Sequence, residues 1–547
     1  MKSVMFLSLI LILSMGILMA GGIVTNTNQS AAYMRTLNRN ASVNLDAVYY
    51  NPAGLASLND GLHLSLNNQS IWQTKTVTNT YLYLKGEGEF VGKVSAPVFP
   101  NIYAAFKTGK LAVSAGFEPI GGGGSANFEK GLPSFEMPIS DLVPGLASQG
   151  ASAYDLDVAF EGSSIYYGFQ GNVSYKVSDL LSVGVGGRYV MASNKYIGHL
   201  KSIGVVFPDA LAANFGGNPV PAPMFFTYAA GQYTAGATSA SNAASGLQPL
   251  IDGGGGTLTL DQAQAAGFLD ATQVAQLQGG LTAAGLNPAD YPTIAATQAA
   301  YNGVAASATA SAAGMTAKAT LLSDQEVDVT QKASGFAPII SILISPMKGL
   351  DVALRYEGLT KLELENEADA DKQALVGFDA NGNPVYQFPD GAKSRADMPA
   401  MLGLGVSYKI GNALRTEFGL NYYMNSGVDW NGREANVDNG YEVGLAVEYC
   451  LSEKLKASLG FLNSNSGAKP EYQTDLSYSL KSNAIGLGIA YAISPNLLVN
   501  IGGINTFYIE DSRDDQHNLG GSGTIVPFTE KYLTKTFGFA VGIDYSF

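Results

Sequence analysis

The sequence predicts an all-β transmembrane fold, a closed antiparallel up-and-down β-barrel of about 14 strands. Three observations carry this expectation: a composition suited to lipid contact without an apolar helix, apolar residues at every second position, and connections that alternate between short and long. Of 547 residues only 14% are charged, against ~25% in ordinary soluble proteins, while Gly numbers 65, Tyr 29 and Phe 24. Past the N-terminus no run of ~18 apolar residues offers a membrane helix. A net charge of −14 opposes nucleic-acid binding, which needs clustered Lys and Arg against phosphate. The one cysteine, Cys450, excludes an intramolecular disulfide and a Cys-rich zinc site.

At the N-terminus, Met1-Lys2 precedes the apolar stretch 4–18, then the small residues Ala20, Gly21 and Gly22, then a polar run. This order predicts a secretory signal peptide over 1–22, cut after Ala20 or Gly22. The alternative, a membrane anchor, is disfavoured because the stretch is short for a spanning helix.

From residue 61 onward the signal is period-2 alternation, which puts one set of side chains on each face of a strand. Ile165, Tyr167, Phe169, Val173 and Tyr175 oppose Gly168, Gln170, Asn172 and Ser174. Tyr441, Val443, Leu445, Val447 and Tyr449 oppose Glu442, Gly444, Ala446 and Glu448; the chain ends on the phase Phe537, Phe539, Val541, Ile543, Tyr545, Phe547. Segments of this kind begin near 62, 100, 111, 164, 180, 336, 350, 400, 413, 441, 454, 483, 497 and 533. A soluble sandwich also alternates, so the connections decide. Tight turns at 108–110, 177–179, 346–349, 411–412, 451–453 and 494–496 interleave with the long links 72–98, 119–162, 191–334, 361–398, 425–439, 464–481 and 509–531. Short turns at one end, long loops at the other and strands of ~9–11 residues describe an outer-membrane barrel. Tyr175, Tyr189, Tyr422, Tyr449 and Tyr491 at strand ends suit interfacial girdles.

The link 191–334 is the long extracellular loop; it is Ala/Ser/Gly-rich and carries few charges. Within it Thr259 with Gln262, Asp270 with Gln273, and Asn287-Pro288 with Asp290 read as helix N-termini, predicting helices over 260–284 and 288–321. Acidic residues gather at 363–371, 434–438 and 510–515, where a solvated face is the default reading.

Several ordered motifs resemble the FadL/TodX family of outer-membrane transporters for long-chain fatty acids and hydrophobic aromatics. They are Asn51-Pro52-Ala53 before the first strand, Phe99-Pro100-Asn101 opening the second, and Pro119-Ile120-Gly121-Gly122-Gly123-Gly124 running out of the third. The long helix-bearing loop after strand five and the terminal Phe547 complete the likeness, which spans the mature chain. The resemblance implies an N-terminal lumenal hatch over 23–60, a barrel over 61–547, and an inward kink of strand three that opens the wall sideways. It also implies uptake of fatty acids or aromatic hydrocarbons without a cofactor, in contact with outer-membrane lipid. A monomer is expected, inserted by the barrel-insertion machinery through the C-terminal strand ending in Phe547.

The residues support this reading on their own terms. Consecutive glycines hold a strand poorly, because they lose the most backbone entropy and offer no side chain to pack. A 14-stranded barrel is too wide for side chains alone to fill, and Tyr33, Met34, Leu37, Val43, Leu45, Val48 and Tyr49 supply apolar filling. Substrate-binding candidates are Phe117 and Phe128 flanking the kink, and Phe207, Phe215, Met224, Phe225 and Phe226 in the loop, with self-packing of the loop as the alternative. Arg188 and Lys195 are candidates for a carboxylate head. Arg188, like the inward-phase Arg355 and Arg415, is first expected to be a lumenal partner of inward Glu residues. An outer-membrane hydrolase would need a triad built on His63, His199 or His517, and no local motif supplies one. A general polar porin is the other alternative; it predicts an open, charged lumen without a plug.

Overall fold

The computed structural model describes Ile23 and residues 30–547, so the expected signal peptide over 1–22 lies outside the described residues. Fourteen strands form the barrel: β1 (Gly61–Asn79), β2 (Glu89–Thr108), β3 (Leu111–Phe128), β4 (Ala153–Lys176), β5 (Leu181–Val206), β6 (Gln325–Met347), β7 (Leu350–Glu357), β8 (Ala400–Ile410), β9 (Leu414–Met424), β10 (Gly440–Cys450), β11 (Leu455–Asn465), β12 (Ser482–Ser494), β13 (Leu497–Tyr508) and β14 (Ile525–Ser546). Sequence neighbours pair antiparallel, and β14 returns to β1 (Gly542 opposite Asn67), which closes the sheet. Closure removes the unpaired edge that lipid does not tolerate.

Each expected segment falls on one of these strands, but several strands run further toward the long-loop end. There both faces meet water or loops, so the apolar alternation fades while the backbone ladder continues, as at Thr76 opposite Val91 and Thr78 opposite Glu89. For the same reason the long link shortens to 207–324. The segment Glu363–Gln373 pairs with β6 beyond a break at 358–362, and Lys393–Arg395 pairs back onto it. The expected link 361–398 is therefore largely a continuation of the wall.

Alternation resolves into an apolar exterior and a small or polar interior. On β12 the outward Leu487 is 58% exposed and the inward Ala490 1%. The same contrast recurs around the wall, giving a lipid-facing belt. Exposed tyrosines border it: Tyr175, Tyr408, Tyr449, Tyr491 and Tyr545 near the short turns, Tyr189, Tyr356, Tyr422 and Tyr441 toward the long loops. No described helix is long and apolar enough to cross a membrane.

The link 207–324 folds into an antiparallel pair of long helices, Ala222–Asp252 and Ile294–Leu321, joined through Leu260–Ala265 and Ala271–Ala283. Both expected capping boxes form, Thr259 with Gln262 and Asp270 with Gln273. The stretch expected as one helix over 260–284 breaks at 266–270, where Gly267 turns left-handed and Asp270 starts a new helix. The helix 222–252 was not expected. Its buried stripe is chiefly alanine (Ala230, Ala240, Ala244, with Leu247), so the periodicity carries little hydrophobic contrast.

Candidate functional site: a filled lumen beside an interrupted wall

Residues 30–58 occupy the barrel interior as a short helix Ala31–Thr36, a turn of helix Ala47–Tyr50 and a 3-10 stretch Pro52–Ser57, nearly all buried. The segment enters with Ser30 capping the first helix, its hydroxyl accepting from the Tyr33 amide. Inward wall positions are small so that the segment's backbone comes close. A Cβ on Gly460 would lie 2.2 Å from the Thr36 carbonyl oxygen, and one on Gly486 2.4 Å from that of Met34.

Polar contacts fix the segment on every side. Arg35 donates to Asn500 (3.1 Å) and Ser458 (3.0 Å) and pairs with Glu448 on β10. Arg39 makes a two-pronged pair with Asp46 (2.6 and 3.0 Å) and reaches Glu417 on β9 at 3.4 Å. These charges lie out of water, and the ion pairs and hydrogen bonds offset the desolvation each would otherwise carry. At the Asn51-Pro52-Ala53 motif, Ser174 donates to the Pro52 carbonyl (2.6 Å) and Ser341 accepts from the Ala53 amide (2.8 Å). Pro52 heads the 3-10 stretch, where a missing N–H costs nothing.

Beside this segment the wall is interrupted. β2 and β3 pair from Thr108 opposite Leu111 up to Ile102 opposite Phe117, and again from Val94 opposite Ala126. Between these points residues 95–101 and 118–125 make no ladder with each other. On its other side β3 keeps β4 throughout, with bulges between Pro119 and Gly121 and between Gly122 and Gly124. Gly122 and Gly124 take φ of +87° and +84°, a region that L side chains adopt at a cost. Opposite, Pro97 and Val98 bulge out of the β1–β2 register, and Val98 is 71% exposed. β2 and β3 therefore part over this stretch.

The inner edge of the break is apolar and aromatic. Tyr50, Tyr103, Ile120 and Tyr166 share one buried cluster, with Tyr33 stacked on Tyr50 at 5.6 Å. Nearer the long loops Phe128, Leu132 and Phe160 pack with Phe135 and Tyr196. Rings follow one another from Phe135 to Phe160 (5.3 Å), Tyr196 (6.1 Å) and Phe388 (5.2 Å). Most of these were not read from the sequence. Tyr166 had a signal there: it is an aromatic on the otherwise polar phase of β4.

Of the sequence candidates, Phe128 belongs to this inner cluster. Phe117 does not; it lies on the lipid-facing phase against Tyr167 and Phe169, because its position is odd where the inward positions Ala112, Ser114 and Glu118 are even. Lys195 is also outward and lies 3.5 Å from Asp328, so it does not serve the lumen. Arg188 points in but is occupied. It donates to Gln170 (2.7 Å), pairs with Glu357, and stands 4.6 Å from the centre of the Tyr49 ring; Arg355, 5.2 Å from the same ring, also pairs with Glu357. Arg415 likewise pairs with Glu417 and with Glu448 at 3.3 Å. The expectation of lumenal ion pairs therefore holds for all three inward arginines.

In the loop, Phe207 and Phe226 are buried where the helical pair meets the barrel rim, against Val205, Leu142 and Tyr154. Phe215 and Phe225 pack partly on that cluster, and Met224 is half exposed. Lys318 lies in the same foot, its ammonium 5.6 Å from the Phe226 ring and without a hydrogen-bond partner among the described residues. Burial lowers its pKa to about 8.

The histidines are placed apart. His63 contacts the Ser546 hydroxyl (2.8 Å), but its second nitrogen faces the Asn59 carbonyl (2.9 Å) where a triad has a carboxylate. His199 lies 3.1 Å from Asp157 on the surface. His517 meets Asp141 at 2.6 Å, a carboxylate that also accepts from Tyr81 (2.5 Å) and the Gly520 amide (2.7 Å) and so ties three loops together.

No family model matches the sequence, and no curated protein does. Among solved structures, a Pseudomonas aeruginosa FadL homologue is similar with a TM-score of 0.54 and 11% identity, over 96% of this chain and 99% of that one. The P. putida toluene transporter TodX follows at 0.47 and 11%, over 92% and 94%, and the Ralstonia pickettii toluene transporter TbuX at 0.43 and 13%, over 92% and 94%. The first likeness establishes a shared fold, the closed 14-stranded barrel.

Proposed function

We propose that the protein takes up hydrophobic compounds passively across the outer membrane of a Gram-negative bacterium, long-chain fatty acids or aromatic hydrocarbons being the substrate types. The observation that carries this reading is the lost pairing between β2 and β3 beside a lumen that is filled from within. A polar solute gains nothing from a sideways opening toward lipid, whereas a hydrophobic one is delivered into its preferred phase. In this reading the short turns face the periplasm and the long loops face outward. The loop foot around Phe225 and Met224 captures the ligand, the aromatic run from Phe135 to Phe388 conducts it inward, and the segment 30–58 acts as the hatch. Release follows through the break at 95–101 and 118–125 into the outer leaflet. Nothing in this route calls for bond chemistry or a cofactor, and a monomer suffices.

Two measurements test it. The full chain in planar bilayers should show only low conductance to small ions, and cells carrying it should accumulate a hydrophobic probe such as oleate or toluene faster than cells without it. High steady conductance with no gain in hydrophobic uptake would overturn the proposal in favour of a porin.

A further inference from the structure

We infer that Glu118 is a hydrogen-bond-accepting subsite at the inner edge of the wall break, suited to a hydrophobic ring that carries a hydroxyl donor, a phenol-type compound. The inference rests on the uptake reading above and narrows its substrate class.

Glu118 is the first residue of β3 that has lost its β2 neighbour. It is fully buried, and neither carboxylate oxygen has a hydrogen-bond partner among the described residues. Its nearest cation is Arg188, with Nε 3.5 Å from Oε1, outside ordinary hydrogen-bond length. Each of the three Arg188 nitrogens donates elsewhere, to Gln170 or Glu357. Arg355 also directs its terminal nitrogens to Glu357 and to the Tyr49 carbonyl. Two guanidiniums thus face two carboxylates; Glu357 receives hydrogen bonds from both, and Glu118 receives none. A buried acceptor left in this state is costly in a native structure and marks a place where a partner from outside is accommodated.

The surroundings define that partner. A Cβ on Gly116 would lie 2.8 Å from Glu118 Oε2, 3.0 Å from Val48 and 3.3 Å from the Tyr103 ring, so the carboxylate sits between the lumenal segment and an aromatic wall. The Tyr49 hydroxyl nearby is buried and also without a hydrogen-bond partner among the described residues. A hydrocarbon would leave Glu118 unsatisfied, and a fatty-acid carboxylate brings no hydrogen to donate to it. A phenol meets both requirements: its ring matches the aromatic side chains of Tyr50, Tyr103 and Tyr166, and its O–H can donate to a carboxyl oxygen.

The test compares p-cresol, 4-methylanisole, toluene and oleate as labelled probes, taken up by cells expressing the full chain. p-Cresol and its methyl ether share shape but only the first donates, so wild-type protein should favour p-cresol by about tenfold. In Glu118→Leu that ratio should collapse toward one, and in Tyr49→Phe it should persist. Equal uptake of p-cresol and 4-methylanisole by wild type, or an unchanged ratio in Glu118→Leu, would overturn the inference. The wild-type comparison stands even if the Leu variant fails to assemble. If none of the four probes enters through the protein, the uptake reading itself fails; if all enter without discrimination, that reading survives and the Glu118 subsite does not.

Discussion

Gly122 lies so close to Ser164 that a Cβ at position 122 would fall 2.0 Å from the Ser164 carbonyl oxygen, and its φ of +87° adds a second barrier to any side chain. The bulge of β3 against β4 therefore depends on glycine at this position. Gly122→Val should cost at least about 2 kcal/mol through clash and backbone strain. The expected outcome is a lower melting temperature on heat-modifiability gels and reduced uptake of the hydrophobic probe; wild-type values for both would show that the kink tolerates a side chain.

Arg35 and Glu448 tie the lumenal segment to β10, and without Arg35 the Glu448 carboxylate keeps Arg415 and Lys456 beside it. Arg35→Met should therefore destabilise by roughly 1–3 kcal/mol, the loss of a charged hydrogen bond, and loosen the segment, raising small-ion conductance. The double change Arg35→Met, Glu448→Met should cost less than the sum of the two single changes. If the two single effects simply add, the pair is not the anchor.

Lys318 gives the loop foot a pH dependence. Its folded pKa of about 8 lies below the ordinary 10.5, so the unfolded foot binds more protons in that range. Stability of the foot should be lowest below pH 8 and rise as pH climbs from about 8 toward 10.5. The shift corresponds to about 3 kcal/mol at most, on the scale of 1.36 kcal/mol per pH unit. Hydrogen-exchange protection factors over residues 315–322, corrected for the intrinsic rise of exchange with pH, should increase across that window, and Lys318→Met should remove the dependence.

In the two long helices of the loop, Gly236 and Gly303 have open space where a Cβ would go. Replacing each by Ala should stabilise the helical pair by about 0.5–1 kcal/mol, through backbone entropy alone. Slower proteolytic clipping of the loop, with unchanged barrel melting, is the expected readout.

The barrel was legible because its signals are local. Alternation such as Tyr441 to Tyr449, and turns such as 411–412, follow from side-chain period and backbone sterics within a dozen residues. The capping boxes at Thr259 and Asp270 were legible for the same reason. What failed to show was non-local or low in contrast. Helix 222–252 packs through alanine, and Glu118 meets Arg188 only after strand pairing has placed them together. The outward phase of Phe117 and Lys195 was readable from alternation, but their nearness to the kink and strand end outweighed it. The inward glycines could be counted in the sequence, yet their purpose appears only when Thr36 is seen against Gly460.

That closeness makes the calibre of the bore a property of glycine. The segment 30–58 directly precedes β1, and its carbonyls at Met34 and Thr36 press on wall positions where no Cβ would fit. The inner surface of the wall is thus cut to a backbone rather than to side chains, and one added methyl group at Gly460 or Gly486 would narrow the bore at the very place its filling rests.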